Sequence, residues 1–473
     1  MEAVSNFLLP IVANINAYMS DYVLIFLLVG IGLFYTIRTK FVQVRCFGEG
    51  MKRVFGGLSL KGGKQNGGLS SFQALATAIA AQVGTGNIVG ACGAIMVGGP
   101  GAIFWMWIIA FFGMATIYAE AVLAQNTKIV KEDGSVLGGP VYYIKKAFKG
   151  GFGKFLAVFF AIAITLALGF MGAMVQSNSI AGAVSTATNS IVAPWMIGLV
   201  LAAICAFIFI GGIHRIASVA EKIVPIMAVI YLVIGVIILG INVKLIPETF
   251  GMIFKFAFTP QAIIGGTFGA AIKAAISQGV KRGLFSNEAG MGSTPHAHAQ
   301  AKVEKPHDQG VVAMIGVFID TFVVLTMTAL VVISTLYAGN GPLSTPEGMA
   351  ATTLTKANLM QTAVGTALGN EMLGNILIAV CLTFFAFTTI ISWNFFGKQN
   401  VEYLFGKKAT IVYSVIAVAA IFAGSLFQND LVWELADMFN NLMVIPNVLA
   451  LIPLGYIVAK CAKSAKAKKN DEE

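Results

Sequence analysis

Apolar residues run along the chain in blocks of about 20, separated by short polar segments. An α-helix needs a stretch of roughly that length to cross the hydrocarbon core of a bilayer. The pattern predicts eleven transmembrane helices, at residues 20–37, 70–96, 101–124, 154–182, 194–212, 223–242, 260–280, 310–337, 373–396, 409–427 and 434–459. We therefore expect an all-α membrane protein that forms one polytopic domain over residues 1–473, with residues 460–473 as a tail.

Composition agrees with this class of protein. The chain is 57% hydrophobic and only 11% charged, whereas a soluble domain carries roughly 25% charged residues. The net charge of +10 comes from short loops between apolar blocks, which indicates membrane topology rather than a surface for nucleic acid. The expected partner is the lipid bilayer, with no nucleic acid.

Basic residues favour alternate loops. The loops that follow the first and third spans and the C-terminal tail are rich in lysine and arginine, whereas the opposite loops hold only Lys244, Lys255 and Lys356. The positive-inside rule then places the N-terminus outside and the C-terminus in the cytoplasm. We expect a monomeric, multi-pass protein of the cell membrane.

The second span contains Gly84-Thr85-Gly86-Asn87 near its centre. These residues are poor helix formers, and a broken helix is tolerated in a membrane only where its freed backbone groups find partners or line a cavity. The glycines could instead form a close-packing face between helices. The polar neighbours Gln82, Thr85 and Asn87 favour a discontinuous helix that binds a ligand.

The seventh span is also rich in glycine, at Gly265-Gly266, Gly269 and Gly279. When the first span is set aside, the two glycine-interrupted spans each begin a half of five helices, residues 70–242 and 260–459. Interrupted helices at matching places in two halves indicate the binding site of a transporter. We place the second break at Gly279.

Other polar residues within spans are candidate ligands. Thr388 and Thr389 offer oxygen atoms suited to a small cation, although threonine in a membrane helix commonly bonds its own backbone. Gln176 could contact a substrate or hold a neighbouring helix. Asp320 could be a cation ligand, a proton carrier or a buried structural partner. Glu120 lies near a span end, where it could reach the membrane interface.

Enzyme chemistry finds no support in the sequence. No nucleophile–base pair, metal triad or phosphate-binding loop is present. His296, His298 and His307 lack the spacing of a metal site, and the five cysteines show no pairing or metal spacing. We expect no cofactor and no catalytic residue.

Three segments resemble a known family. Gly84–Ile88 (GTGNI), Gly98–Trp107 (GGPGAIFWMW) and Gly283–Ser293 (GLFSNEAGMGS) are similar to the signatures of the alanine or glycine:cation symporters, and the similarity runs over nearly the whole chain. That family has the leucine-transporter (LeuT) fold, a 5+5 inverted repeat, preceded by one extra helix, here residues 20–37.

The resemblance implies roles for particular residues. Backbone N–H groups of Gly84, Thr85 and Gly86 would hold a substrate carboxylate, and the carbonyls of Ala80 and Val83 with the hydroxyls of Thr388 and Thr389 would hold sodium. The other candidate substrate contacts are Gln82, Gln176, Gly279 and Trp393, of which Trp393 would limit pocket size. Asn87 and Asp320 are candidates for a second cation site.

The expected function is symport of a small neutral amino acid, alanine or glycine, with sodium ion as the coupling ion. Proton coupling through Asp320 is the first alternative. A channel is the second, and it would need a continuous pore instead of alternating gates.

Overall fold

The computed structural model describes residues 2–56, 69–259, 268–427 and 430–471. The basic residues Lys61 and Lys64 and the pair Gly265-Gly266 lie outside these ranges, as do residues 260–267 of the predicted seventh span. Within the described residues the secondary structure is helical apart from one two-stranded hairpin, β1 (Ile129–Val130) antiparallel to β2 (Val136–Leu137).

The described residues as far as Phe258 form eleven helices. They are α1 (Glu2–Tyr18, continuing through a π-helical segment, Met19–Leu24, into Ile25–Arg38), α2 (Val42–Arg45), α3 (Phe47–Phe55), α4 (Ser71–Gln82), α5 (Gly86–Gly98), α6 (Ala102–Thr127), α7 (Pro140–Ala147), α8 (Gly150–Ala187), α9 (Pro194–Ile210), α10 (Gly212–Ile241) and α11 (Ile246–Phe258). A 3₁₀ turn, Val243–Leu245, precedes α11.

The described residues beyond that point form nine more helices. They are α12 (Phe268–Asn287), α13 (Pro295–Gln300), α14 (Pro306–Tyr337), α15 (Pro346–Ala351), α16 (Leu359–Leu368), α17 (Glu371–Phe405), α18 (Ala409–Gly424), α19 (Asp430–Leu451) and α20 (Gly455–Asp471). Three of the described helices contain π-helical segments at or near candidate residues: Gly86–Gly90 in α5, Thr165–Gly172 in α8 and Phe318–Leu325 in α14.

Six described helices are long and apolar enough to cross a membrane: α1, α6, α8, α10, α14 and α17. Two bent pairs add up to two more spans, α4 with α5 at 46° and α19 with α20 at 65°. The prediction of an all-α, multi-pass membrane protein is therefore confirmed. The count of eleven stays a prediction, because it needs the shorter helices α9 and α18 and the partly described segment at α12.

Small residues bring the central helices together. α14 packs along α6, and α8 packs along α17. A Cβ atom added at Gly310 of α14 would meet the Tyr118 ring of α6 at 2.7 Å. Helices in lipid gain their stability from such close packing, since the surrounding hydrocarbon is as apolar as their side chains.

The first helix is held on two sides. Asp21 of α1 pairs with Lys273 at 2.7 Å and accepts a hydrogen bond from Ser277, both on α12. Asn16, one turn earlier, donates to Glu434 of α19 and accepts from Asn441 of the same helix. α12 and α19 are also joined directly, since Lys281 lies 2.9 Å from Asp437.

The predicted break at Gly279 is wrong. α12 is a continuous α-helix from Phe268 through Gly279 to Asn287. A Cβ atom at Gly279 would lie 2.5 Å from Trp105 Cβ and 2.8 Å from the carbonyl oxygen of Ala102. This glycine is therefore a packing position where α12 contacts α6, and the interruption of this span lies further along the chain.

Gly279→Ala is expected to lower the unfolding temperature of the detergent-purified protein, because the new methyl group meets the α6 backbone and overpacking costs about 1–3 kcal/mol. Gly240→Ala is the matched control: Gly240 lies in α10 with nothing within 4 Å of its added Cβ. That variant should be neutral or slightly stabilising, since alanine favours a helix by about 1 kcal/mol over glycine. Equal unfolding temperatures for the two variants would contradict the assigned packing role.

Candidate functional site

The second predicted span is interrupted where the sequence indicated. α4 ends at Gln82, Val83 has φ −79° and ψ 86°, and helix resumes at Gly86 as a π-helical segment. The two halves meet at 46°. The prediction of a discontinuous helix at Gly84 is thus confirmed, and the break leaves backbone carbonyls of α4 and N–H groups of α5 without their usual helical partners.

The two glycines of the break are required by close neighbours from three other helices. A Cβ atom at Gly84 would overlap Thr389 Oγ1 of α17 and lie 3.3 Å from Gln176 Oε1 of α8. A Cβ atom at Gly86 would lie 3.1 Å from both Phe285 and Ser286 of α12. The break is therefore the point at which α4, α5, α8, α12 and α17 converge.

Oxygen atoms surround the Thr389 hydroxyl. Thr389 Oγ1 lies 2.9 Å from the carbonyl oxygen of Ala80, 2.9 Å from that of Phe385 and 3.5 Å from that of Val83. One hydroxyl proton cannot serve three acceptors. The end of α4 also carries the partial negative charge of a helix C-terminus. Such a cluster of uncharged oxygens suits a small hard cation.

Thr388 does not join this cluster. Its hydroxyl lies 3.0 Å from the carbonyl oxygens of Phe384 and Phe385 and 3.6 Å from Met227 Sδ of α10. Adjacent residues of a helix do not face the same neighbour, so only one of the two threonines can reach α4. The structure thus brings Thr389 together with Ala80 and Val83, and it corrects the placement of Thr388.

Gln176 reaches the break from α8. Its side-chain oxygen accepts a hydrogen bond from Thr85 N–H at 3.1 Å, and its Nε2 has no hydrogen-bond partner among the described residues. The Thr85 hydroxyl is likewise buried without a partner in the described part of the chain. Gln176 is therefore a residue of the site. Asn178 instead donates to carbonyls of Gly424 and Phe427.

Asn87 and Asp320 lie together on another side of the break. Asn87 accepts from Gly84 N–H at 3.0 Å and donates to the Asp320 carboxylate at 2.6 Å. The carboxylate also accepts from the hydroxyls of Ser286 and Thr321. Asp320 is fully buried, and no basic side chain of the described residues lies within ion-pair distance of it. Asn87, Ser286 and Thr321 thus supply hydrogen-bond donors to this buried carboxylate, and its role as a cation ligand, a proton carrier or a structural partner stays a prediction.

Gln82 contacts the end of α12. Its Nε2 donates to the Asn287 carbonyl at 2.7 Å, and its Oε1 lies 3.2 Å from the position of a Cβ atom on Gly316 of α14. The described contacts of Gln82 therefore support a link between α4, α12 and α14. Its role as a substrate contact stays a prediction.

The second interruption lies at residues 288–294, between α12 and α13. Glu288, Gly290 and Gly292 all have positive φ, at 57°, 90° and 82°. Glu120 of α6 accepts a hydrogen bond from Gly290 N–H at 3.1 Å. The expectation that Glu120 reaches the interface is wrong: its side chain is fully buried, and it holds the unwound segment in place.

Trp393 lies one helical turn beyond Thr389 on α17. Its indole nitrogen donates to Glu288 Oε1 at 2.6 Å, and the ring of Phe285 meets its face edge-on at 5.9 Å. The indole also abuts Gly172, whose added Cβ would lie 2.5 Å from the ring. Trp393 is therefore held between α8, α12 and the unwound segment, and its role in limiting pocket size stays a prediction.

Comparison of the sequence with known proteins identifies the relatives of this chain. Residues 5–473 match the sequence model of the family described as "Sodium:alanine symporter family". The chain belongs to the sodium:alanine symporter family. It is 41% identical over 464 residues to the sodium/alanine symporter AgcS of Methanococcus maripaludis, covering 98% of each chain. Members of this family are transporters rather than enzymes.

Other relatives differ in their named coupling ion or in their named substrate. The putative sodium/proton-dependent alanine carrier protein YrbD of Bacillus subtilis is 40% identical over 94% of this chain and 89% of its own. The probable sodium/glutamine symporter GlnT of the same organism is 37% identical over 97% and 91%. A solved structure, MhsT in complex with L-phenylalanine, aligns with TM-score 0.57 and 14% identity over 84% of this chain and 98% of its own. That likeness shows the LeuT fold.

Four residues of the site were missed from the sequence: Phe285, Ser286, Glu288 and Phe385. The first three belong to the segment Gly283–Ser293, where the polar run 286–288 is followed by Gly290 and Gly292. Two glycines so close together indicate backbone with positive φ, so that signal could have located the second break. Phe385 contributes only its carbonyl oxygen, which no side-chain pattern reveals.

Gly84→Ala is expected to lower the unfolding temperature of the purified protein, because its methyl group would overlap Thr389 Oγ1 and lie 3.3 Å from Gln176 Oε1. Gly90→Ala, in the same half-helix, is the control, since its added Cβ would meet only Thr85 at 3.8 Å and Arg282 at 4.0 Å. Equal unfolding temperatures for Gly84→Ala and Gly90→Ala would contradict the close convergence of helices assigned to the break.

Proposed function

We propose that this protein is a sodium-coupled symporter that carries a small neutral amino acid, alanine or glycine, into the cell by alternating access. The observation that carries the proposal is the cluster of oxygens around Thr389 at the break between α4 and α5. It offers uncharged ligands to a cation, directly beside backbone and side-chain groups that can hold a zwitterion.

The sodium ion binds among Thr389 Oγ1 and the carbonyl oxygens of Ala80, Val83 and Phe385. Each carbonyl oxygen lies 2.9–3.5 Å from Thr389 Oγ1, so an ion that binds this hydroxyl has all three within reach. Two of the carbonyls belong to the C-terminal end of α4, whose helix dipole favours positive charge.

The substrate carboxylate binds at the N-terminal end of α5, where the helix dipole favours an anion. In this structure Gly84 N–H and Thr85 N–H are bonded to Asn87 and Gln176. The Thr85 hydroxyl and Gln176 Nε2 are buried donors without partners among the described residues. We therefore assign the first carboxylate contacts to these two side-chain groups, with Gly86 N–H beside them.

Aromatic side chains set the substrate size. Trp393 and Phe285 meet edge to face at 5.9 Å, and Trp393 is fixed by its hydrogen bond to Glu288. We therefore expect this fixed indole to limit the substrate side chain to a hydrogen atom or a methyl group. One relative is named as a probable glutamine symporter, so members of the family differ in their named substrates. We infer that residues lining the substrate pocket, such as Trp393 and Phe285, set the substrate of each member.

Binding of the two ligands is coupled through one peptide unit. The Val83 carbonyl belongs to the cation cluster, and the N–H of the next residue, Gly84, belongs to the Asn87–Asp320 side. A cation that fixes this peptide plane therefore orders the donors beside it. The free energy of coupling is reciprocal, so substrate should raise the affinity for sodium by the same factor.

The wider architecture completes the proposal. Eleven helices cross the cell membrane, with the N-terminus outside and the C-terminus in the cytoplasm. The first helix precedes a 5+5 inverted repeat of residues 70–242 and 260–459, which is supported by interrupted segments at Val83–Thr85 and at residues 288–294. The protein works as a monomer.

Proton coupling is the second candidate, and Asp320 favours it. This carboxylate is fully buried on α14, and its side-chain hydrogen-bond partners in the described part of the chain are Asn87, Ser286 and Thr321. The relative named as a sodium/proton-dependent alanine carrier fits the same possibility. With Asn87, Asp320 forms either a second sodium site or a proton site.

Uptake of labelled alanine into proteoliposomes tests the proposal directly. We expect accumulation above equilibrium when sodium is high outside, and none without that gradient. Accumulation driven by a proton gradient alone, and lost in Asp320→Asn, would transfer the coupling to Asp320. Passive flux without accumulation would indicate a channel, and no flux of alanine or glycine would refute the substrate assignment.

Thr389→Ala is expected to raise the sodium concentration for half-maximal uptake about tenfold or more, because a contact with a charged group is worth roughly 1.5–3 kcal/mol. Thr388→Ala is the matched control: the neighbouring hydroxyl lies against Met227, so its loss should leave sodium dependence near that of the wild type. Equal sodium dependence in the two variants would overturn the assigned cation site.

A further inference from the structure

A second group of potential metal ligands lies outside the break between α4 and α5. Cys46 follows α2, Glu49 lies in the first turn of α3, and His307 lies in the first turn of α14. One ligand atom from each residue, the thiol sulfur, a carboxylate oxygen and an imidazole nitrogen, lies within 4.8 Å of the other two. These are three of the side-chain types that bind zinc in proteins.

The imidazole is already oriented. His307 Nδ1 lies 2.7 Å from the hydroxyl of Tyr118 on α6, and His307 Nε2 faces Glu49 Oε2 at 3.3 Å. When Nδ1–H donates to the tyrosine oxygen, the lone pair of Nε2 points toward the other two residues. Histidines that bind metals are commonly held by such a bond from their second nitrogen.

The local charges match a divalent cation. Arg53 binds the other carboxylate oxygen, Glu49 Oε1, at 3.0 Å, but its charge is also paired with Asp308 at 2.9 Å. The Arg53 guanidinium beside Glu49 Oε1 favours the ionised form of this carboxylate. A Cys46 thiolate and the Glu49 carboxylate would together balance two positive charges.

The group is open on one side. The Glu49 side chain is 38% exposed, whereas that of His307 is 5% exposed. An ion can therefore enter past Glu49 and keep a water molecule on that side. Zinc–ligand distances of about 2.0–2.3 Å place tetrahedral ligands about 3.5 Å apart, so the three atoms need to approach by only about 1 Å.

We propose that Cys46, Glu49 and His307 form a binding site for Zn²⁺ or a similar transition-metal dication, with water as the fourth ligand. The thiol excludes calcium and magnesium as the preferred ions, since these favour oxygen ligands. This site differs from the His296, His298 and His307 group of the sequence. His296 bonds Asn400 and Ser293, and His298 bonds Gln309.

The bound ion would link three elements. It would tie α3 to the start of α14, and through Tyr118 to α6. α14 carries Asp320 in its π-helical segment. By restraining α14, the ion would slow transport from the cytoplasmic side. This last step rests on the proposed function, whereas the metal site itself does not.

Cobalt titration of the purified full-length protein tests the site, because a cobalt–thiolate bond gives a charge-transfer band in the near ultraviolet. We expect the band in the wild-type protein and in Cys461→Ala, and its loss in Cys46→Ser. Calorimetry with zinc should give one site in the wild type and at least tenfold weaker binding in His307→Gln. Tyr118→Phe should also weaken zinc binding, by about 10–100-fold, because the imidazole loses the hydrogen bond that orients it.

Folding is checked for each variant by its elution profile and unfolding temperature. The proposal is overturned if the cobalt band persists in folded Cys46→Ser, or if zinc binds folded His307→Gln as tightly as the wild type. It is equally overturned if the wild-type protein binds neither ion. These readouts need no transport activity, so failure of the metal site and failure of the proposed symport are distinguishable.

Discussion

A trans peptide unit directs its carbonyl and its N–H to opposite sides, and the unit that joins Val83 to Gly84 uses both. Its oxygen lies 3.5 Å from Thr389, and its N–H is bonded to Asn87 at 3.0 Å. The backbone can turn this unit out of the helix only because α4 stops at Gln82. The remaining groups of the site are arranged around this one plane.

Absence of a side chain at Gly84 lets α8 and α17 approach the backbone itself. Thr389 then completes the oxygen cluster, while Gln176 caps the neighbouring Thr85 N–H. The second break repeats this logic with different parts, because Glu120 holds the Gly290 N–H and Glu288 holds Trp393. At the Gly84 break, the side-chain amides of Asn87 and Gln176 thus take the place of helical hydrogen-bond partners. At residues 288–294, buried carboxylates do so.

The class of fold and the first break were predictable, because long apolar blocks and two glycines around a threonine act through local physics. The second break was misplaced at Gly279, since a glycine that serves helix packing reads the same as one that interrupts a helix. Thr388 and Thr389 could not be separated either: which hydroxyl faces α4 depends on the rotation of α17. The link between Glu49 and His307 depends on tertiary packing alone.

The contacts of α1 restrict which helices can move separately. Asp21 holds α12, Asn16 holds α19, and the pair Lys281–Asp437 joins α12 to α19 directly. These contacts oppose the separation of the three helices. A movement of α12 that alters access to the Gly84 break must therefore carry α1 and α19 with it or break these contacts, so the first helix adds to the free-energy cost of moving α12 alone.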